Sequence, residues 1–140
     1  MPLLANDTSG AVTRKRLETW AAHVEKATVV AATDAATVQT AAQLSGAGKV
    51  VYTMTPSTGR TLTTPTGALL GAAFTDEAVG SSFEFTVVNV AAATHAITVT
   101  AAATGVTLVG AAANFAVGAA TSATYLGVFT AADTVSIYRK

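Results

Sequence analysis

The chain has 140 residues, eight basic and eight acidic side chains, and no cysteine. This length suits one domain with its own hydrophobic core, and the missing cysteines exclude disulfides and thiolate metal ligands. The balanced charge leaves no basic excess for binding nucleic acid. We also expect no signal peptide and no membrane span, because no run of about 18 apolar residues occurs.

The N-terminal segment differs in composition from the rest of the chain. Residues 1–26 hold seven of the sixteen charged side chains. Apolar residues recur there at helical spacing, which predicts a short arm followed by an amphipathic helix over Ala11 to Lys26. A helix of this length is marginal alone and needs a surface to pack on. The apolar stripe contains Leu17, Trp20, Ala21, Val24 and Ala27, and Trp20 is the sole tryptophan of the chain.

From Val50 onward the hydrophobic pattern changes to a period of two, as in Phe83 to Val87. Short alternating runs separated by Gly- and Ala-rich turns predict a mainly β fold, an antiparallel β-sandwich or barrel of about eight short strands. We expect helical turns at Thr40 to Leu44 and at Gly67 to Phe74. The chain then divides into an N-terminal arm and helix (1–30) and a β domain (31–140). The expected strands are 49–55, 60–64, 82–90, 96–101, 105–109, 113–118, 121–129 and 133–138.

No residue between Glu84 and Asp133 carries a fixed charge, and His95 is the one titratable histidine in that stretch. The stretch is either a solvated Thr/Ala surface or a surface buried against other subunits. A soluble monomer usually presents more charge over such a length, which favours burial.

Motifs for catalysis or metal binding are incomplete. Ser45 to Lys49 ends like a phosphate-binding loop, but Gln43 and Val50 stand where that motif needs a glycine and a hydroxyl. His23 and His95 lack acidic partners at ligand spacing, so we expect no metal site. Arg14-Lys15-Arg16 is followed by Glu18, and a solvated helix start explains it better than nucleic-acid binding.

A pair of carboxylates for hydrolysis could be drawn from the acidic residues of the β region, but no basic clamp or aromatic platform accompanies them. A G-x-S-x-G nucleophile motif is absent from the sequence. We therefore expect no enzyme, with no catalytic residue, no bound cofactor and no metal. The acidic residues concerned are Asp76, Glu77, Glu84 and Asp133.

Several segments resemble a pattern found in bacteriophage virion proteins. Gly59 to Pro65 is similar to that family's R-T-L-T-L-P-T segment, and Val79 to Asn89 to its V-G-D-S-F-E-F-T-V-V-N strand. Gly105 to Gly110 resembles its G-V-T-L-V-G hairpin. Thr40 to Gly46 and Val135 to Arg139 match further parts of the pattern, so the resemblance covers about residues 38–139.

The resemblance implies a phage head decoration protein, also called a capsid cement protein; related β domains occur in phage fibres. Proteins of this kind are usually trimeric and lie over junctions between major capsid subunits. The expected partner is therefore the major capsid protein, with homotrimerisation, and the expected location is the capsid exterior after assembly in the host cytoplasm. No nucleic-acid or membrane partner is expected.

The N-terminal segment is the expected docking element, because tryptophan is a favoured interface anchor. Packing of Trp20 on its own sheet is an equally good explanation of the stripe. The alternatives for the whole protein are a tail, fibre or baseplate component, or a receptor- or carbohydrate-binding module. The residues expected to dock are Leu3, Leu4, Arg14, Arg16, Leu17 and Trp20.

Overall fold

The computed structural model describes residues 27–45, 49–74 and 78–140. The helix predicted over Ala11 to Lys26 lies outside these residues. Ten strands form a six-stranded and a four-stranded sheet, with the hydrophobic core between them. The strands are β1 (Ala27–Ala31), β2 (Thr37–Val38), β3 (Lys49–Met54), β4 (Arg60–Thr63), β5 (Ser82–Asn89), β6 (Ile97–Thr100), β7 (Val106–Val109), β8 (Ala116–Val117), β9 (Thr121–Ala131) and β10 (Thr134–Arg139).

Two short α-helices and one 3₁₀ helix connect the sheets: α1 (Ala41–Ser45), α2 (Gly67–Ala73) and the 3₁₀ helix Ala112–Phe115. Helix α1 follows Thr40, whose Oγ1 accepts from the Gln43 backbone NH at 3.3 Å while Gln43 Oε1 accepts from the Thr40 NH at 2.8 Å. This reciprocal capping box stabilises a helix too short to persist alone. Helix α2 is capped by Thr66, whose Oγ1 accepts from the Leu69 NH.

The chain alternates between the two sheets from β1 to β9, and only β9 and β10 follow each other in one sheet. The six-stranded sheet has the order β1-β3-β5-β9-β10-β7, and the four-stranded sheet β2-β4-β6-β8. Each return to a sheet therefore passes through the other sheet, which supplies the long crossover that a parallel pair requires. Among the described strands, five of the eight pairings are parallel.

Aromatic rings from the centre of the six-stranded sheet dominate the core. Phe85 stacks on Tyr125 with ring centroids 5.2 Å apart, and Phe115 stacks on the same tyrosine at 5.6 Å. Phe83 lies against Gly127, where an added Cβ would meet its ring. Such offset and tilted contacts are the favoured geometries of aromatic pairs. They join β5 and β9 to the 3₁₀ helix beside the smaller sheet.

A buried asparagine organises the connection after β5. Asn89 is 1% exposed, and its Nδ2 donates to the carbonyls of His95 (2.7 Å) and Val117 (3.0 Å). Its Oδ1 accepts from the Ala91 NH at 3.1 Å. All of the side chain's main hydrogen-bonding capacity is thus used to hold residues 91–95 against the sheets.

The structure confirms the mainly β class, a sandwich-like arrangement of sheets and both helical turns. The expected antiparallel sandwich is a sandwich of mixed sheets, because the chain passes through the smaller sheet between β1, β3 and β5, and these neighbours pair in parallel. The strand expected at 113–118 is instead a 3₁₀ helix followed by two strand residues. Strands β1 and β2 were not expected, and the division drawn at residue 30 falls inside β1.

Gly67 permits a close contact between α2 and the β9–β10 turn. A Cβ at Gly67 would collide with the Asp133 carbonyl oxygen and lie 2.6 Å from the Gly105 carbonyl oxygen, and both are backbone atoms that cannot rotate away. We expect Gly67→Ala to lower the free energy of unfolding by about 2–3 kcal/mol, the cost of overpacking a close site.

Gly59→Ala is the matched control, because nothing lies within 4 Å of its added Cβ. It should change the free energy of unfolding by less than about 1 kcal/mol. Urea unfolding followed by circular dichroism compares the two variants. Equal stability of both would contradict the close contact.

Candidate interaction surfaces

The six residues expected to dock, Leu3, Leu4, Arg14, Arg16, Leu17 and Trp20, lie outside the described residues. What the structure shows is where that segment joins the β domain. Residue 27 is the first residue of β1, the edge strand of the six-stranded sheet, and pairs directly with Lys49 of β3. The N-terminal segment is therefore continuous in sequence with an edge strand of the sheet.

The side chains of the six-stranded sheet that point away from the core form a broad surface, which we call the outer face. One row of it crosses all six strands, and the next row crosses the four strands from β1 to β9 in the order of the sheet. The first row contains Ala27, Lys49, Glu84, Leu126, Tyr138 and Val109, and the second contains Val29, Val51, Thr86 and Thr124.

One pair of threonine hydroxyls on each outer surface is hydrogen-bonded across neighbouring strands. Thr86 and Thr124 Oγ1 are 2.9 Å apart on the outer face, and Thr63 and Thr100 Oγ1 are 2.9 Å apart on the four-stranded sheet. Each pair satisfies one donor and one acceptor. Covering these threonines therefore costs less desolvation than their polarity suggests.

The fixed charges of the outer face lie close together. Lys140 Nζ is 2.6 Å from Glu84 Oε2, and Lys49 lies opposite Glu84 in the register of β3 and β5. The charge-free stretch between Glu84 and Asp133 supplies the rest of β5, all of β7 and β9, and two of the four strands of the smaller sheet, β6 and β8. Burial of that stretch against other subunits stays a prediction.

A second polar cluster ties two connections between the sheets. Asp34 follows β1, and its Oδ1 accepts from Arg60 Nε at 2.6 Å. Its Oδ2 accepts from the backbone NH of Ser57 at 3.1 Å and from the Ser57 hydroxyl. These hydrogen bonds, that from Arg60 above all, hold the pKa of the Asp34 carboxyl well below its usual range. The same pair raises the pKa of Arg60.

The residues considered for catalysis are not brought into one site. Glu84 pairs with Lys140 on the outer face, whereas Asp133 lies in the β9–β10 turn with a φ of 53°. Asp76 and Glu77 are outside the described residues, as is His23; His95 lies in the loop before β6. In the described part of the chain, no three His, Cys, Asp or Glu side chains gather as metal ligands would. No helix there is long and apolar enough to cross a membrane.

Two clefts in the described surface are open and have no charged lining. One of about 340 Å³ opens between β6, β7 and the 3₁₀ helix, lined by residues that include Thr98, Leu108 and Phe115. Another lies between the end of β5 and the start of β9, lined by residues that include Val90 and Thr121. Neither lining contains a titratable side chain, so neither offers acid–base or electrostatic chemistry to a ligand.

Comparison with known family models, curated proteins and solved structures found no match to this chain. The resemblance to phage virion proteins therefore stays a prediction from the sequence. The surfaces above are the features from which a function has to be argued. The sequence pointed to the N-terminal segment, whereas the Asp34–Ser57–Arg60 cluster was missed, since residues 23 and 26 positions apart meet only through the fold.

The depressed pKa of Asp34 makes its contribution to stability dependent on pH. The ionised carboxylate stabilises the folded state fully above the ordinary carboxyl pKa of about 4, and the contribution is lost as pH falls below that value towards the folded pKa. Asp34→Asn should therefore unfold at lower urea concentration than the parent near neutral pH. The difference in midpoint should shrink as the pH is lowered to about 2.5.

Urea titrations of both proteins at several pH values measure this difference. Other carboxyl groups titrate in both proteins, so the difference isolates Asp34. A gap of the same size at every pH would show that the ionised cluster contributes nothing.

Proposed function

We propose that the chain is a structural virion protein that decorates a phage capsid and stabilises it by bridging major capsid subunits. The observation that carries the proposal is the direct entry of the charged N-terminal segment into β1. A load on residues 1–26 passes at once to the backbone hydrogen bonds along Ala27–Ala31 and then through β3 to β5 in the sheet centre. A cement protein needs this coupling, because a flexible connection between its capsid contacts and its folded domain would let neighbouring capsid subunits separate.

The outer surfaces support a role in assembly. The outer face carries few charges, and the hydroxyls of Thr86 and Thr124 are hydrogen-bonded to each other, so covering this pair costs less desolvation than covering two separate hydroxyls. The buried centres of protein interfaces are likewise depleted in charge. The proposed arrangement is a homotrimer, in which several modest contacts to the capsid act together and give tight attachment.

The described surface gives less support to a carbohydrate- or receptor-binding module. Of the phenylalanines and tyrosines, all of which lie in the described residues, Tyr138 alone is exposed, at 40%. Sugar-binding modules normally display several aromatic side chains. A tail, fibre or baseplate position differs from the capsid only in the partner, and the experiment below separates these.

The test is co-sedimentation of the purified chain with DNA-emptied heads, and separately with tails, of the phage that encodes it. We expect heads to retain the protein. Replacing Leu3, Leu4, Arg14 and Arg16 together by alanine should weaken binding by about tenfold or more, because central interface anchors contribute about 2 kcal/mol or more each. Gly59→Ala, in the loop before β4, is the control and should bind as the parent does.

Retention by tails and not by heads would favour the tail or fibre alternative. Equal affinity of the fourfold variant would contradict docking through the N-terminal segment. The native mass at micromolar concentration tests the trimer: we expect about three times 13.9 kDa. A monomer at that concentration would contradict the trimeric arrangement.

A further inference from the structure

The edge of the six-stranded sheet formed by β1 is unusually apolar for an exposed strand. Val29 is 67% exposed and points outward beside Val51 of β3. Ala27 and Ala31 occupy the neighbouring outward positions of the same strand. On its other side β1 pairs with no described strand, because it ends the order of the sheet. An open apolar edge invites aggregation, and proteins commonly cover such edges with a helix or loop.

We propose that residues 11–24 of the same chain cover this edge as an amphipathic helix, with Leu17, Trp20 and Val24 packed on Val29 and Val51. The inference goes beyond the proposed virion function and does not depend on it. It concerns the free protein and resolves the two explanations of the apolar stripe in favour of packing on the chain's own sheet.

The lengths and the connection fit this occupant. A helix over residues 11–24 is about 21 Å long, while the five residues of β1 span roughly 17 Å, so the helix can run the length of the edge. Glu25 and Lys26 remain for the turn between the helix and β1, within the usual range for a helix-to-strand connection. Ala21 lies within the stripe, and its small side chain lets the helix approach the sheet closely.

The outer surface of the smaller sheet is a poorer support for the stripe. Its outward positions are mostly threonines, among them Thr61, Thr63, Thr98 and Thr100, and Val38 is the exposed valine there. The segment also enters beside β1 rather than β2. Both facts place the stripe on the six-stranded sheet.

A second copy of the chain is less able to occupy this surface than the chain's own N-terminal segment. A segment tethered by a short turn meets its surface at an effective concentration in the millimolar range, whereas another molecule competes at its bulk concentration. At micromolar protein the tethered segment therefore occupies the edge first. Association of copies then uses other surfaces.

Trp20 reports on this contact directly because the chain has no other tryptophan. In the folded full-length protein we expect its emission to be blue-shifted relative to the urea-unfolded protein and protected from acrylamide quenching, at every protein concentration. Val29→Glu places a charge under the stripe and should shift the emission to the red and raise the quenching constant about twofold or more, towards that of an exposed indole.

Val38→Glu is the matched control: Val38 is 69% exposed and also lies on an edge strand, but in the other sheet. Its emission should equal that of the parent. Far-UV circular dichroism of both variants checks that the β domain is folded, and Val51→Ala gives a second, milder probe should Val29→Glu fail to fold. Val51→Ala should raise the acrylamide quenching constant of Trp20 without introducing a charge.

Emission in the folded parent equal to that in urea would overturn the proposal. So would equal responses of the Val29 and Val38 variants. Protection that appears only at high protein concentration, together with a larger native mass, would assign the stripe to a second copy and also overturn it. No phage head enters these measurements, so their outcome and that of the co-sedimentation test are separate.

Discussion

The antiparallel pairing of β5 with β9 is the constraint on which the rest of the fold depends. It brings Phe85 and Tyr125 into a stack at 5.2 Å and places Phe83 over Gly127, where no side chain could intervene. β5 also receives β3 on its other edge, and β9 receives β10. The rings reach across to Phe115 beside the smaller sheet. Removing this ring contact would therefore loosen the link between the sheets as well as the centre of one of them.

Alternation of the chain between sheets explains which parts of the fold the sequence could predict. A period of two identifies the residues that face the core, and Phe83, Phe85 and Val87 are buried as that pattern indicates. A period of two does not indicate which strand is the neighbour, because strands with parallel and with antiparallel neighbours have the same period. Only the β9–β10 turn joins consecutive strands within one sheet, and five of the eight pairings among the described strands are parallel. β1 was missed because Ala27–Ala31 is largely exposed and follows a helical pattern of charges.

The candidate surfaces show a similar division between local and long-range information. Charge density and helical spacing are local properties, and they were enough to single out residues 1–26. The cluster of Asp34, Ser57 and Arg60 forms where two connections between the sheets meet at one end of the sandwich. No local sequence pattern predicts that contact. Its position suggests a structural purpose: it fixes the connection that follows β1 to the one that precedes β4. The proposed docking segment thus enters a strand whose far end is held by an ion pair.

On the proposed function, the chain has to be soluble alone and covered after assembly, and paired threonine hydroxyls serve both needs. An unpaired hydroxyl favours water and resists burial, whereas a row of aliphatic side chains promotes aggregation before assembly. Thr86 with Thr124, and Thr63 with Thr100, share one hydrogen bond in each pair. A partner that covers such a pair therefore leaves fewer polar groups unpaired than one that covers two separate hydroxyls. On the proposed function, the sparse charge of the β domain follows from surfaces that are covered in the assembled particle.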